Sequence, residues 1–254
     1  MINSGKENLK EQFKLNLQKD FLNFSKKNRI YYQIRYLNET GQEIVRINAH
    51  EGIFKIVLGN ELQNKKERYY FQDTMKLKKG EVLISPLDLN IESGKIENQG
   101  SKENPIYIPV IRYATPVFDN FGNFKGIIIA NIHTNNLLEK IQENNTLGNI
   151  FLINAKGFYL SNKNKNKEFE FMFNKTSTFF KDYSEEITTI ILANKGQTYF
   201  ETKNLIISFK YIYPAFRNLE IGKNEEINFQ KIPLENHFWV LVIVLDKKVL
   251  RGKR

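Results

Sequence analysis

Residues 82–131 read VLISPLDLNIESGKIENQGSKENPIYIPVIRYATPVFDNFGNFKGIIIAN, and their pattern decides the fold class. Glu81–Ser85 is a short strand stopped by Pro86, which has no N–H to give a ladder and forces Ser85 extended. Leu87–Asn104 is a long polar loop with glycines at 94 and 100. A loop of that length inside a compact domain is either functional or disordered. Pro105–Pro109 brings the chain back, and Val110–Val117 (VIRYATPV) is a strand whose apolar run is interrupted by Arg112. Asp119–Gly122 is a hairpin turn. Gly126–His133 is nearly continuous apolar, so both its faces need cover. The stretch holds no nucleophile–base pair, no phosphate loop and no metal-ligand spacing. It reads as the wall and lid of a small binding pocket.

Upstream, Leu9, Phe13, Leu17, Phe21 and Phe24 recur at spacings of three and four, which predicts an amphipathic helix over residues 6–27. Tyr31–Leu37 (YYQIRYL), the turn Asn38–Gly41 and Glu43–Ala49 (EIVRINA) form a β-hairpin. Alternation puts Gln33, Arg35 and Leu37 on one face of the first strand, and Arg46 and Asn48 together on the second. Two arginines on facing strands repel unless an anion or a carboxylate sits between them; otherwise both point at water. Asn60–Leu77 reads as a second helix, ended by Lys79-Gly80.

Downstream the pattern repeats. Asn135–Glu143 is a short connecting helix; Asn149–Asn154, a turn at Ala155–Gly157 and Phe158–Ser161 form another hairpin. Helical pieces lie within Phe169–Thr188 and extend through the IILAN run, and Gln197–Glu201, Ile206–Ile212 and Phe238–Leu245 are strands. The chain is therefore α+β: a long helix, then two topologically similar units, each a mainly antiparallel sheet with helical crossovers.

The bulk numbers narrow the function. A chain of 254 residues with 41% hydrophobic content builds one large domain or two of about 100–150 residues. The net charge is +10, but the lysines are spread and mixed with Asn and Glu, as in NKNKNKE (Asn162–Glu168), which is a solvated loop and not a nucleic-acid stripe. With no Cys there is no disulfide framework and no thiolate metal site. The three histidines, His50, His133 and His237, have no metal-site spacing, so no metal or cofactor is expected. No apolar run reaches the ~18 residues that cross a bilayer, and MINSGKENLKEQ has no signal-peptide core. The chain is then either cytoplasmic or an exported piece separated from its export signal.

What remains is a set of polar groups on otherwise buried strands: Arg35, Arg46, Asn48, Arg112 and Asn131, with Tyr70 and Tyr107 as walls. A buried guanidinium needs a carboxylate or a ligand, and Arg suits bidentate carboxylate recognition. The competing reading is a structural salt-bridge network with Asp88 or Glu92. Of the serines only Ser85 sits suggestively, and no base accompanies it.

YYQIRYLNETGQEIVRIN, GEVLISPLDLNIESGKIE and PVIRYATPVFDNFGNFKGIIIANI together resemble the membrane-distal half of a double Cache (tandem PAS-like, PDC) sensor. GNIFLINAKGFYLSN, FKDYSEEI, ISFKYIYP and FWVLVIVLDKK resemble its membrane-proximal half. The resemblance implies a stalk helix over residues 1–29, a distal PAS-like unit over 30–134, a connecting helix over 135–147, a proximal unit over 148–248, and a lead-in to a membrane helix at 249–254. It further implies an extracytoplasmic, periplasmic domain of an inner-membrane receptor, most often a dimeric histidine kinase, with chemoreceptors and diguanylate cyclases as alternatives. The distal unit would bind a small ligand. The amino-acid-binding subgroup carries an Arg-x-Trp-Tyr run and a late Asp; here the only Trp is Trp239 and the last distal strand offers Asn131. That favours a carboxylate or neutral polar metabolite. A soluble hydrolase and an interaction module that dimerises through its first helix are the readings from other classes.

Overall fold

The computed structural model describes residues 2–143, 148–193, 196, 198–213 and 238–251. It begins with α1 (Ile2–Lys27), whose last turn carries Lys26 and Lys27, cations suited to the negative end of the helix dipole. Asn28 ends the helix: its backbone N–H and its side-chain amide both donate to the Phe24 carbonyl, at 2.9 and 3.1 Å.

The first sheet comprises β1 (Tyr31–Asn38), β2 (Glu43–His50), β3 (Ile53–Val57), β4 (Leu83–Ile84), β5 (Asp88–Leu89), β8 (Pro109–Phe118) and β9 (Phe124–His133). Its order is β3-β2-β1-β9-β8-β4, with β5 also on β8, and every pairing is antiparallel. A small separate hairpin, β6 (Ile91–Glu92) with β7 (Lys95–Ile96), follows β5. The second sheet comprises β10 (Asn149–Asn154), β11 (Tyr159–Ser161), β12 (Tyr199–Glu201), β13 (Leu205–Ile212) and β14 (Trp239–Asp246), in the order β11-β10-β14-β13-β12. In both sheets the opening strand pairs its hairpin partner on one side and the closing strand on the other. The two like α+β units expected from the sequence are therefore present, joined by α3 (Asn135–Glu143).

Three expectations change. Asn60–Leu77 is not one helix: only α2 (Tyr69–Thr74) is, after a single 3-10 turn at Gly59–Glu61. The backbone between them is spent elsewhere, since Glu43 N–H donates to the Gln63 carbonyl (3.0 Å) and Lys65 N–H to the Gly41 carbonyl (2.8 Å). β3, an edge strand with Ile53 and Lys55 exposed, is additional. Leu87–Asn104 is not structureless, because β5, β6 and β7 lie in it. The helical pieces expected within Phe169–Thr188 are present: a 3-10 turn (Glu170–Phe173), α4 (Phe179–Tyr183) and the start of α5 (Glu185–Ala193). Phe169 and Asn174, both left-handed, bracket that turn and stop it growing into a helix. The last element among the described residues is α6 (Lys247–Arg251). The parts of the expected elements at 144–147, 194, 197, 214–237 and 252–254 lie outside the described residues.

α1 runs along β1, β2 and β3, while α2 covers β4 and β8. Tyr70, Phe71, Leu77 and Leu83 pack with Leu37, Ala114, Ile127 and Ile129 to make the first unit's core. A second core, around Phe151, Tyr159, Phe179 and Val242, lies inside the second unit. A third joins the units: Ile84, Leu87, Leu89 and Ile111 from the first meet Leu138 of α3 and Leu152, Leu160, Phe169 and Trp239 of the second.

Candidate functional site

The polar residues singled out in the first unit converge on one buried layer. Arg35 and Arg112 are each 1% exposed and Asn131 is fully buried. Strand pairing explains this: Arg35 lies opposite Arg46 across β1–β2, Gln33 opposite Asn131 across β1–β9, and Arg112 opposite Asn131 across β8–β9. The layer is therefore a band of polar side chains on one face of four neighbouring strands, roofed by α2 and the 85–97 segment.

The segment Ser85–Asn90 (SPLDLN) is built around Arg112. The Ser85 N–H donates to the Arg112 carbonyl (2.9 Å), and the Arg112 N–H donates to Ser85 Oγ (2.8 Å). The Ser85 hydroxyl donates to the Pro86 carbonyl, so this serine acts as a backbone clamp. The Arg112 guanidinium is paired with Asp88 and donates to the Tyr69 hydroxyl at 3.3 Å and to Asn90 Oδ1 at 3.4 Å. Tyr69 in turn donates to Asp88 Oδ2 at 2.9 Å. Burial opposes the charge on Arg112, but Asp88 and Tyr69 outweigh it and raise its pKa.

Arg46 donates from Nε to Asn48 Oδ1 (2.9 Å) and from Nη1 to Glu92 Oε2 (2.9 Å). Glu92 also accepts from Gln33 (3.1 Å), Gln63 (2.7 Å) and Asn90 (3.2 Å). Burial would raise its pKa, yet Arg46, Arg35 and Lys65 overcome this and hold it down to about 2. Lys65, itself buried, donates to Gln63 Oε1 at 2.7 Å; desolvation lowers its pKa to about 8 despite Glu92. Asn131 accepts from Arg35 (2.9 Å) and donates to Gln33 and Asn90, both at 3.1 Å.

Tyr70 is the hub of the cations. Its ring lies 5.6 Å from the Arg35 guanidinium carbon, 5.3 Å from that of Arg112 and 5.7 Å from that of Arg68. These are cation–π distances inside a desolvated region, where the attraction is strongest. The Nε atoms of Arg35, Arg68 and Arg112 are buried with no hydrogen-bond partner. Arg35, Arg46, Lys65 and Arg112 face Glu43, Asp88 and Glu92, which leaves this set positive by one.

Six of the seven residues read from the sequence thus come together: Arg35, Arg46, Asn48, Tyr70, Arg112 and Asn131. Tyr107 stands apart. Its ring pairs with Phe173 of the second unit (centroids 5.0 Å) and lines a cleft of ≈710 Å³ between the units. Glu43, Lys65 and Asn90 belong to the layer and were not expected. Asp88 and Glu92, considered only as counterions, are in it as counterions. Among the described residues no His/Asp/Glu group is placed to hold a metal, and no helix is long and apolar enough to cross a membrane.

The sequence matches the family model described as "Bacterial histidine kinase, sensor domain" over residues 5–215. No curated protein matches it. Among solved structures it resembles the extracellular domain of a protein assigned as histidine kinase vpHK1S-Z8, at 19% identity and TM-score 0.68, over 95% of this chain and 78% of that one. It also resembles a domain of a sensory box/GGDEF family protein from Vibrio parahaemolyticus (19% identity, TM-score 0.71, 95% and 81% covered). A third is the ligand-binding domain of the Campylobacter jejuni chemoreceptor Tlp3 in complex with L-valine (13% identity, TM-score 0.55, 95% and 76% covered). At these identities the likeness is one of fold.

Proposed function

This chain belongs to the bacterial histidine kinase sensor-domain family, and from that premise we propose that its buried arginine layer binds a small carboxylate or other polar anion. One observation carries the reading: Arg35 and Arg112, both buried and both over the Tyr70 ring, each keep an Nε–H with no partner. A buried donor left unsatisfied is unfavourable, and a ligand oxygen would remove the penalty. The single net positive charge of the layer favours an anion. The Tlp3 domain holds an α-amino acid. Here Asn131, spent on Arg35, Gln33 and Asn90, offers an α-ammonium no carboxylate at that position, which favours a carboxylate without one.

In this reading the first unit, residues 30–134, is membrane-distal and the second, 148–248, is membrane-proximal. The domain sits on the periplasmic side of the inner membrane, is flanked by membrane helices, works as a homodimer and drives a kinase. It binds and does not catalyse. Ligand binding shifts populations between arrangements of the two units. The related GGDEF and chemoreceptor folds keep a cyclase or chemotaxis output as the second reading.

Calorimetry with a panel of small carboxylates tests the site. A carboxylate that binds the wild type should bind Arg112→Gln and Arg35→Gln at least ~10-fold more weakly, the loss of one charge-assisted hydrogen bond. Equal affinity in both variants places the ligand elsewhere.

A further inference from the structure

We propose that Asp88 is a built-in stand-in for the ligand's carboxylate, and that exchanging it for the ligand moves the seam between the two units. This rests on the arginine layer being the ligand site. The segment Ser85–Asn90 faces two ways with the period of an extended chain. Asp88 and Asn90 turn into the arginine layer, where Asp88 pairs with Arg112 and Asn90 accepts from it. Leu87 and Leu89, at 2% and 1% exposure, turn into the core shared with Leu152, Leu160, Phe169 and Trp239 of the second unit. One hexapeptide therefore reports the state of the arginines to the other unit.

Three features make Asp88 exchangeable. Its side chain is 12% exposed while that of Arg112 is 1% exposed, so it is the solvent-side member of the pair. Between the segment's anchored ends, Ser85 on Arg112 and Asn90 N–H on the Ile108 carbonyl (2.7 Å), the backbone is lightly tied: β5 has two residues, its Leu89 pairs Pro109, which has no N–H, and the Leu89 N–H goes to Met172 Sδ of the second unit (3.0 Å), a weak acceptor. The cradle around it, the Arg112 guanidinium plus the Tyr69 hydroxyl, is one that any carboxylate can use. Carboxylate-for-carboxylate exchange never leaves Arg112 unpaired in a buried site, so the large cost of breaking such a pair is avoided. The displaced Asp88 gains hydration. Its movement carries Leu87 and Leu89, and with them the packing around Trp239.

Trp239 is the only tryptophan of the chain and reads that seam directly. Wild type, Asp88→Ala, Asp88→Asn and Arg112→Gln would be titrated with acetate, propionate and succinate at constant ionic strength against chloride, recording thermal midpoint and Trp239 emission. Asp88→Ala, freed of its competitor, should bind acetate at least ~10-fold more tightly than the wild type, one charge-assisted contact in magnitude. Saturated wild type should show the emission that Asp88→Ala shows without probe. Asp88→Asn keeps the bulk, loses the charge and should shift the same way; it serves where the alanine variant does not fold. Acetate rescuing Asp88→Ala while no probe moves the wild type would make Asp88 a fixed counterion and overturn the proposal. So would equal affinities in wild type and Asp88→Asn, or binding that leaves Trp239 unmoved. Binding lost in Arg112→Gln but unaffected at Asp88 removes only the exchange; binding retained in Arg112→Gln removes the arginine site with it, as does no binding in any of the four.

Discussion

Arg35 and Arg46 are register partners across the β1–β2 ladder, both buried, and the Glu43 carboxylate reaches both guanidiniums, at 3.4 Å from Arg35 and 3.6 Å from Arg46. Glu43 also accepts the Gln63 N–H at 2.9 Å, which ties the chain ahead of α2 to the same carboxylate. Two like charges facing each other on one sheet thus share this counterion, and Glu92 gives Arg46 a second, closer one at 2.9 Å. Replacing Glu43 by Gln keeps the size but leaves two buried cations with less compensation, and should cost about 3 kcal/mol or more. Urea unfolding at neutral pH measures it. A change within ~0.5 kcal/mol, the range of an ordinary surface substitution, would mean the arginines do not depend on Glu43.

Acidification should weaken the first unit through Glu92. Its folded pKa, about 2, lies below its ordinary value of 4.5. A depressed carboxylate stabilises the fold fully above its unfolded pKa, and the contribution is lost as pH falls from about 4.5 towards about 2. Over that window it amounts to about 3 kcal/mol. Glu92→Gln should therefore be less stable than wild type at pH 7, with the gap narrowing steadily by pH 3. Urea titrations at pH 7, 5, 4 and 3 decide this; a gap independent of pH assigns the loss to packing.

The architecture was legible because it rests on periodicity. Strand–turn–strand signals recur in both halves, and alternation placed Gln33, Arg35, Leu37, Arg46 and Asn48 on the faces they take. Glu43 escaped because period two, counted back from Arg46, puts it on the opposite face. The ladder shifts register there, Tyr36 pairing Val45 but Leu37 pairing Glu43, so Ile44 is an extra residue and Glu43 swings onto the arginine face. Lys65 and Gln63 escaped for another reason: their stretch has helix-forming residues, but its backbone bonds to the β1–β2 turn. Tyr107 was placed with the arginines on residue type alone, and the inter-unit cleft it lines depends on contacts distant in sequence.

The shared core predicts that the two units unfold together. Leu87 and Leu89 are packed with Trp239 and Phe169, so neither unit keeps its surface dry without the other. Chemical denaturation followed by Trp239 fluorescence and by far-UV circular dichroism should give coincident single transitions. Leu87→Ala should lower the common stability by about 3 kcal/mol. A biphasic wild-type curve, or loss confined to one probe in the variant, would mean that the seam does not couple the units.

Gly126 opens the apolar half of β9, the strand that closes the sheet between β1 and β8, and it does so at φ +126°. No side-chain-bearing residue adopts that conformation comfortably. A Cβ there would also meet the Leu37 carbonyl oxygen at 1.9 Å, a backbone atom of the neighbouring strand that cannot swing aside. Gly126→Ala must therefore either break the ladder to β1 or shift the register that sets Asn131 beside Arg35. It should cost about 3 kcal/mol or more, conformational strain plus the clash. Gly122→Ala is the matched comparison, with φ +81° but open space around the added carbon, and should cost about 1 kcal/mol. Thermal and urea unfolding of the two variants side by side separates the effects. Equal, small losses would show that the β1–β9 ladder tolerates the extra methyl, and that the register of the arginine layer is not fixed at this end.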